Sequence, residues 1–191
     1  SIKRISKLKK YRICDVLFAC PFSIIVISSL YYNCVMIEMS IPGHEIFKIE
    51  YLVCDVNGTL AVDGNLLPGM ISTIGRLKEQ LKVYLITANT HGNQQRITSE
   101  LGVESINIER GQEAKQKGDF VTQLGEKKVI AIGQGANDVE MLKRAAIGIC
   151  VLSEEGTSLD ALLASDIIVQ DGLQALKLVQ NPMRMVATLR K

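Results

Sequence analysis

Short apolar runs alternate with amphipathic stretches from residue 49 onward. The apolar runs predict six strands: Ile49–Asp55, Val83–Thr87, Glu104–Ile108, Lys128–Gly133, Ile147–Val151 and Asp166–Val169. Stretches with helical periodicity lie between them and predict six helices: Pro68–Leu81, His91–Leu101, Glu113–Leu124, Asp138–Ala146, Thr157–Ala164 and Leu173–Gln180. Strands separated by single helices are typical of an α/β fold, here a Rossmann-like, three-layer α/β/α arrangement around a doubly wound parallel sheet.

Polar residues follow three of the predicted strands at the points where these strands end. Asp55 ends the first strand, Thr87 ends the second, and the segment from Gly133 to Asp138 follows the fourth. The carboxyl ends of parallel strands meet at one edge of the sheet, and ligands bind there beside the topological switch point. The pattern therefore predicts one shared site for these residues.

These residue types suit the transfer of a phosphoryl group. Asp55 can act as a nucleophile that forms an aspartyl phosphate. The backbone N–H groups from Val56 to Gly58 and the hydroxyl of Thr87 can bind phosphate oxygens, and Lys117 supplies a positive charge. Asp138 and Asp55 offer the hard oxygen ligands that Mg²⁺ prefers. We therefore expect Mg²⁺ as the cofactor.

The order of these residues resembles the four motifs of the haloacid dehalogenase superfamily. The motifs are Asp55-Val-Asn-Gly-Thr-Leu, Leu-Ile-Thr87, Lys117 with Val121 and Leu124, and Gly133-Gln-Gly-Ala-Asn-Asp138. Three later segments resemble the P-type ATPase phosphorylation domain: Ala146-Ile-Gly-Ile, Glu155-Gly-Thr and Ala164-Ser-Asp-Ile-Ile-Val. The resemblance covers about residues 49 to 190 and is closest to the soluble, P-type ATPase-like group of the superfamily.

This resemblance implies a Mg²⁺-dependent phosphohydrolase that acts on phosphate esters or anhydrides through an aspartyl phosphate on Asp55. It assigns catalytic roles to Asp55, Asn57, Thr87 and Lys117, substrate contacts to Gly58, Thr59, Ala88, Asn89 and Asn137, and metal ligation to Asp55, Asn57, Gln134 and Asp138.

Two positions depart from the pattern of the family. Its phosphatases usually carry an aspartate two residues after the nucleophile, which serves as general acid and base, whereas this chain has Asn57. An amide cannot move that proton, so turnover is expected to be slow. Gln134 replaces a residue that is generally Asp or Asn, which removes one carboxylate from the metal site. In the family Asn57 would still offer its backbone carbonyl to the metal.

The spacing between the motifs leaves no room for a large cap domain. Between Thr59 and Thr87 there is space for a short hairpin, indicated by Asp63-Gly64, and one helix. A capless site is open. It can take a small phosphorylated substrate or nucleotide, or a bulky one, or it can be closed by a neighbouring subunit of a homo-oligomer. Without such closure, water would be poorly excluded from the site.

Composition places the working domain among ordinary globular proteins, with 47% apolar and 22% charged residues. Six of the basic residues and one acid fall in residues 1–35, so the remainder has no basic face for nucleic acid. The five cysteines are odd in number and lack CxxC spacing, which argues against disulfides and structural zinc and favours a cytoplasmic setting, with Cys54 and Cys150 in the core.

Residues 1–35 form a separate basic and hydrophobic leader ahead of the hydrolase domain, 36–191. The apolar stretch 16–37 with its basic flank matches a membrane anchor, which would attach the catalytic domain to a membrane. The other interpretation is that the leader does not belong to the native protein.

Three alternatives remain open at this stage. Lys115 lies close to Lys117 and competes with it for the phosphate contact. Thr87 and Asp138 also suit helix caps. Finally, Asn57 and Gln134 fit a second function, a weakened phosphate-binding or phospho-accepting regulatory module rather than an enzyme.

Overall fold

The computed structural model describes residues 36–88 and 94–191. The predicted leader, the beginning of the helix predicted at His91, and Asn89 lie outside the described residues. The apolar stretch 16–37 lies almost wholly outside them as well. Within the described residues, no helix has both the length and the apolar character needed to cross a membrane.

Ten strands are found in the described residues: β1 Ile37–Ser40, β2 Ile46–Ile49, β3 Tyr51–Asp55, β4 Ala61–Val62, β5 Asn65–Leu66, β6 Lys82–Ala88, β7 Glu104–Ile108, β8 Val129–Gly133, β9 Ile147–Val151 and β10 Ile167–Val169. Seven α-helices accompany them in the same part of the chain: α1 Met70–Leu77, α2 Gln94–Leu101, α3 Glu113–Leu124, α4 Val139–Arg144, α5 Leu159–Leu163, α6 Gly172–Val179 and α7 Pro182–Leu189.

Six of the strands form one parallel sheet in the order β10-β9-β8-β3-β6-β7. The chain runs outward from β3 through β6 to β7 and then returns to the other side of β3 to add β8, β9 and β10. Asp55 pairs in register with Ile86 on β6, and Cys54 pairs with Ile132 on β8. The topological switch point therefore lies at β3, the strand that ends in Asp55.

Side chains alternate along the central strands between two apolar cores, one on each face of the sheet. Leu52 and Cys54 point into the core beneath α1, α2 and α6, and Val53 points into the core beneath α3, α4 and α5. Cys54 and Cys150 are free, buried thiols, as expected from the sequence. The α/β/α layering and the doubly wound parallel sheet predicted from the sequence are confirmed.

Two elements were not predicted from the sequence. β1 and β2 form an antiparallel hairpin outside the main sheet, and α7 begins at Pro182, a favourable first position for a helix. The predicted first strand is divided at Glu50: Ile49 belongs to β2, which pairs with β1, and Tyr51–Asp55 form β3. The Glu50 N–H donates to the Lys128 carbonyl, just before β8, and the Glu50 carbonyl accepts from the Lys82 N–H of β6. The predicted hairpin at Asp63-Gly64 is present as β4 and β5.

Candidate active site

Three buried charged side chains meet at the carboxyl edge of the sheet. Asp55 ends β3, Lys117 lies one turn into α3, and Asp138 follows β8. The Lys117 Nζ lies 2.6 Å from Oδ1 of Asp55 and 2.6 Å from Oδ1 of Asp138. Lys117 and Asp138 are fully buried, and Asp55 is 6% exposed. Residues far apart in the chain thus form one compact cluster, as the sequence predicted.

Close packing of α3 against α4 brings Lys117 to this position. A Cβ atom on Gly118 would stand 2.8 Å from Cβ of Glu140, so only glycine permits this approach. The other face of α4 is equally close to the sheet, because a Cβ on Gly148 would meet the Leu142 carbonyl at 2.5 Å. These two close contacts hold α3 near α4 and α4 near the sheet, and so bring the Lys117 side chain within reach of the two carboxylates.

The loop after β8 holds Asp138 in place. Its Oδ2 accepts hydrogen bonds from the backbone N–H groups of Gln134 and Gly135, both at 2.9 Å. A Cβ atom on Gly133 would lie 2.6 Å from this carboxylate, so the strand must end in glycine. Asp138 is the N-cap residue of α4, as one interpretation of the sequence expected, but its side chain makes no capping hydrogen bond to that helix.

The loop after β3 is a tight turn closed by its own backbone. The Val56 carbonyl accepts from the N–H groups of Leu60 and Ala61 at 2.9 Å each, and Gly58 N–H donates to the Ala61 carbonyl at 2.7 Å. Gly58 has φ +72°, which glycine adopts without strain. The expectation that Gly58 N–H turns toward phosphate is therefore wrong, because the turn itself uses this donor. The Thr59 hydroxyl donates to Oδ2 of Asp55 at 3.3 Å.

Gln134 crosses from one site loop to the other. Its Nε2 donates to the Asn57 carbonyl at 3.4 Å, and a Cβ on Gly58 would stand only 2.3 Å from this nitrogen. The Gln134 amide thus covers the open face of Gly58 and contacts the carbonyl that the family resemblance assigns to the metal.

The three central charges do not balance. Two carboxylates face one ammonium, which leaves a net charge of about −1 in a buried site. Burial raises the pKa of Asp55 to about 6; attraction to Lys117 opposes this rise, and repulsion from Asp138 adds to it. Burial alone lowers the pKa of Lys117, but attraction to Asp55 and Asp138 outweighs it, so the Lys117 pKa is raised and the ammonium stays charged. A further cation would compensate the excess negative charge.

The donor set fits a hard divalent cation. Asp55, Asp138 and the Asn57 carbonyl offer oxygen atoms at one edge of the sheet, and Gln134 has an amide oxygen on the same side. Within the described residues no group of three or more His, Cys, Asp or Glu side chains converges. Mg²⁺ typically uses one or two carboxylates and keeps several waters. These residues fit such an ion.

The remaining predicted residues take the following positions. Thr87 is the last but one residue of β6, lies one residue beyond the partner of Asp55, and is buried. Ala88 follows it in the strand, Asn89 lies outside the described residues, and Asn137 is exposed in the loop before α4. Lys115 is 69% exposed and pairs with Asp119, so Lys117 is the lysine of the site. The full burial of Lys117 was not predicted.

One residue near the site was missed. Glu155 lies in the loop after β9 and its Oε1 accepts from the Asp63 N–H at the tip of the β4–β5 hairpin, at 2.9 Å. Its Oε2 approaches within 3.2 Å of the place where a Cβ would stand on Gly58. Glu155 follows the predicted strand Ile147–Val151, and this position could have placed it at the same edge of the sheet as Asp55.

Comparisons with known proteins agree with this fold. The haloacid dehalogenase-like hydrolase family matches residues 37–146. An uncharacterized protein of Methanocaldococcus jannaschii is 50% identical over 64 residues, which are 34% of this chain and 69% of that protein.

Solved structures with the same fold include phosphatases of low sequence identity. The 3-deoxy-D-manno-octulosonate 8-phosphate phosphatase of Moraxella catarrhalis, in complex with magnesium and phosphate ions, has a TM-score of 0.58 at 18% identity and covers 74% of this chain and 94% of its own. The cobalt-bound deoxy-D-mannose-octulosonate 8-phosphate phosphatase of Haemophilus influenzae has a TM-score of 0.57 at 14% identity, with 72% and 88% covered.

A second kind of solved structure is also similar. The catalytic domain of the CPx-ATPase CopB-B has a TM-score of 0.51 at 23% identity, and the match covers 61% of this chain and 46% of that one. The shared fold thus includes both phosphatase and ATPase domains. On the strength of the family match over more than half of its length, the chain belongs to the haloacid dehalogenase-like hydrolases.

Proposed function

We propose that this protein is a Mg²⁺-dependent phosphohydrolase that works through an aspartyl phosphate on Asp55. The observation that carries the proposal is the position of Lys117, whose Nζ lies 2.6 Å from both Asp55 and Asp138 in a buried site. A buried lysine between two carboxylates costs desolvation energy, and a phosphohydrolase site gives this arrangement a chemical use.

In the first step an Asp55 carboxylate oxygen attacks the phosphorus atom. A bond forms between this oxygen and phosphorus, and the bond from phosphorus to the leaving oxygen breaks. Hydrogen bonds from Lys117 to Oδ1 and from Thr59 to Oδ2 orient the carboxylate. The Thr87 hydroxyl, at the neighbouring strand end, is positioned to bind an equatorial phosphate oxygen.

The ionised form of Asp55 is the nucleophile, and a pKa of about 6 leaves most of this group ionised at neutral pH. Asp55, Asp138 and the Asn57 carbonyl would hold Mg²⁺, with Gln134 beside them. When bound, Mg²⁺ supplies positive charge that neutralises the phosphate oxygens and the excess negative charge of the cluster.

In the second step water attacks the aspartyl phosphate, which releases inorganic phosphate and restores Asp55. The leaving oxygen must gain a proton in the first step, and the attacking water must lose one in the second. Asn57 is half-buried beside Asp55 and can do neither, so bulk water carries both protons. For a leaving oxygen that needs no proton, as in p-nitrophenyl phosphate or ATP, only the second step is slowed, so the aspartyl phosphate then forms faster than it breaks down.

The open edge of the sheet favours a small phosphorylated substrate such as a sugar phosphate. Only the β4–β5 hairpin and α1 lie between Asp55 and β6, so this described segment holds no cap domain. The two octulosonate 8-phosphate phosphatases named above act, by their names, on a phosphorylated sugar acid, which shares the hydroxylated carbon chain of a sugar phosphate. A second copy of the chain that covers the open edge would exclude water from it.

Steady-state hydrolysis of p-nitrophenyl phosphate tests this function. We expect turnover that requires Mg²⁺ and is lost in Asp55→Asn, while the exposed Asp160→Asn on α5 retains the wild-type rate. Equal background rates for the wild type and Asp55→Asn across a panel of phosphate esters and ATP would refute the proposal.

A second function, a phospho-accepting module with little turnover, is favoured by one contact. The Gln134 amide donates to the Asn57 carbonyl, where a carboxylate would strengthen a metal site. Acid-quenched protein separates the two functions. A stoichiometric phosphoenzyme without steady-state turnover would identify the module, and repeated turnover identifies the enzyme.

A further inference from the structure

Glu155 joins the β4–β5 hairpin to the loop that carries the nucleophile. It lies between β9 and α5, at the same edge of the sheet as Asp55. Its Oε1 accepts from the N–H of Asp63, 92 residues away, at 2.9 Å. Its Oε2 lies 3.2 Å from the Cβ position of Gly58, so the carboxylate occupies the space left by the missing side chain.

The other side of the hairpin tip is held by a cation. The Arg96 guanidinium, from α2, donates to the Gly64 carbonyl at 3.2 Å. The two residues of the turn thus lie between a carboxylate and a guanidinium. The Glu155 carboxylate accepts from the Asp63 N–H, and the Arg96 guanidinium donates to the Gly64 carbonyl. These two hydrogen bonds hold the tip of the hairpin in place. The negative charge of Glu155 lies on the side of the tip that faces Gly58.

The charge of Glu155 is not neutralised by its contact. In the part of the chain that the structure describes, its hydrogen bond is to a backbone amide, and the exposed acids Asp63 and Glu154 lie beside it. The loops that follow β3 and β9 carry Gly58 and Glu155 at the edge of the sheet where Asp55 lies, so an alcohol group that leaves this edge on their side passes Glu155. That group therefore meets a carboxylate with free acceptor capacity.

We propose that Glu155 is a specificity-determining residue, which selects phosphate monoesters of neutral, hydroxyl-rich alcohols and rejects those whose alcohol carries a carboxylate or a second phosphate. This inference rests on the proposed phosphohydrolase function and narrows its substrate class. Hydroxyl groups donate to the Glu155 carboxylate, whereas an anionic group is repelled across a partly solvated gap. Because Glu155 is exposed, water weakens this repulsion, and its effect on kcat/KM is about 5- to 10-fold.

A matched pair of substrates measures this selectivity. Sorbitol 6-phosphate and 6-phosphogluconate differ in one terminal group, which is a neutral alcohol in the first and a carboxylate in the second. The wild type is expected to favour sorbitol 6-phosphate by at least about 5-fold in kcat/KM. Glu155→Gln retains an oxygen acceptor for Asp63 but loses the charge, so the preference falls toward 1 through a lower KM for 6-phosphogluconate.

The neighbouring acid supplies the control. Glu154→Gln removes the same charge one residue away, outside the contact with Asp63 and Gly58, and is expected to keep the wild-type preference. Glu155→Ala removes both the charge and the hydrogen bond to Asp63, whereas Glu155→Gln removes the charge alone. If both folded variants show the same reduced preference for sorbitol 6-phosphate, the charge of Glu155 determines the preference. Thermal melts of all the variants monitor the fold.

Two results would overturn the inference. An unchanged preference in Glu155→Gln, with Asp55-dependent hydrolysis of p-nitrophenyl phosphate intact in the wild type, refutes the role of Glu155 alone. Absence of that hydrolysis in the wild type refutes the phosphohydrolase function and this inference with it.

Discussion

Lys117 donates to Oδ1 of Asp138 at 2.6 Å, and neither side chain is exposed to solvent. Such a pair tolerates the loss of one partner poorly, because the other charge is left buried. Lys117→Met leaves two neighbouring carboxylates, so we expect a loss of roughly 3 to 5 kcal/mol in the free energy of unfolding. Urea unfolding of the Mg²⁺-free protein measures it.

Lys115→Met is the matched control for this substitution. Lys115 is on the same helix but 69% exposed, so its replacement should change stability by less than about 0.5 kcal/mol. Equal losses of unfolding free energy in the two variants would show that the buried cluster stabilises the fold no more than an exposed lysine does.

Asn57→Asp should accelerate turnover. An aspartate at this position can protonate the leaving oxygen and later accept the proton of water, a role that contributes roughly 10²- to 10⁴-fold in rate. Quenched-flow measurement should show a smaller steady-state fraction of phosphoenzyme than in the wild type. An unchanged or slower rate would mean that the amide, with its carbonyl bonded to Gln134, is needed as it is.

Gly58→Ala should cost both stability and activity. The residue has φ +72°, and its new Cβ would collide with Nε2 of Gln134 at 2.3 Å. Gly111→Ala imposes a similar φ of +94° with nothing within 4 Å, so it isolates the backbone strain of about 1 to 2 kcal/mol. Only Gly58→Ala should also lower the rate of phosphate hydrolysis, because its Cβ displaces the Gln134 amide from the Asn57 carbonyl. Activity equal to that of Gly111→Ala would contradict the contact between the two site loops.

The stability of the Mg²⁺-free protein should fall as the pH rises from 4 to 6. Asp55 has a folded pKa of about 6, whereas an aspartate in an unfolded chain has one near 4. The fold therefore binds this proton more tightly than the unfolded chain, and ionisation destabilises it by roughly 2 to 3 kcal/mol, fully so above pH 6. Urea unfolding in EDTA at several pH values should show this loss for the wild type and not for Asp55→Asn. Parallel curves would remove Asp55 as its source.

The fold was predictable because each strand and helix carries its own pattern. The six strands of the main sheet and the helices between them have periodicities that point to one α/β architecture. The β1–β2 hairpin was missed because residues 37–48 were assigned no strand, and the predicted first strand took in only Ile49 of β2. Its two four-residue strands pair with each other outside the main sheet, so they do not follow the alternation of strand and helix on which the prediction rested.

The site was predictable in its members and less so in its contacts. Asp55, Lys117 and Asp138 were expected together because they follow strands or enter helices at one edge of the sheet. The full burial of Lys117 depends on Gly118 and on the packing of α3 against α4, which a charge in a helix does not reveal. Gly58 was expected to bind phosphate, but its N–H closes the turn, because local backbone geometry decides where each amide points.

The central place of β3 in the sheet also determines when the active site comes into existence. Asp55 precedes Lys117, Asp138 and β8 in the chain, and Tyr51 of β3 lies opposite Val129 of β8. During synthesis the Asp55 carboxylate therefore has its local donor, Thr59, well before Asp138 has been added. The charged cluster cannot assemble before the long-range pairing of β3 with β8 brings the loop of Asp138 beside Asp55.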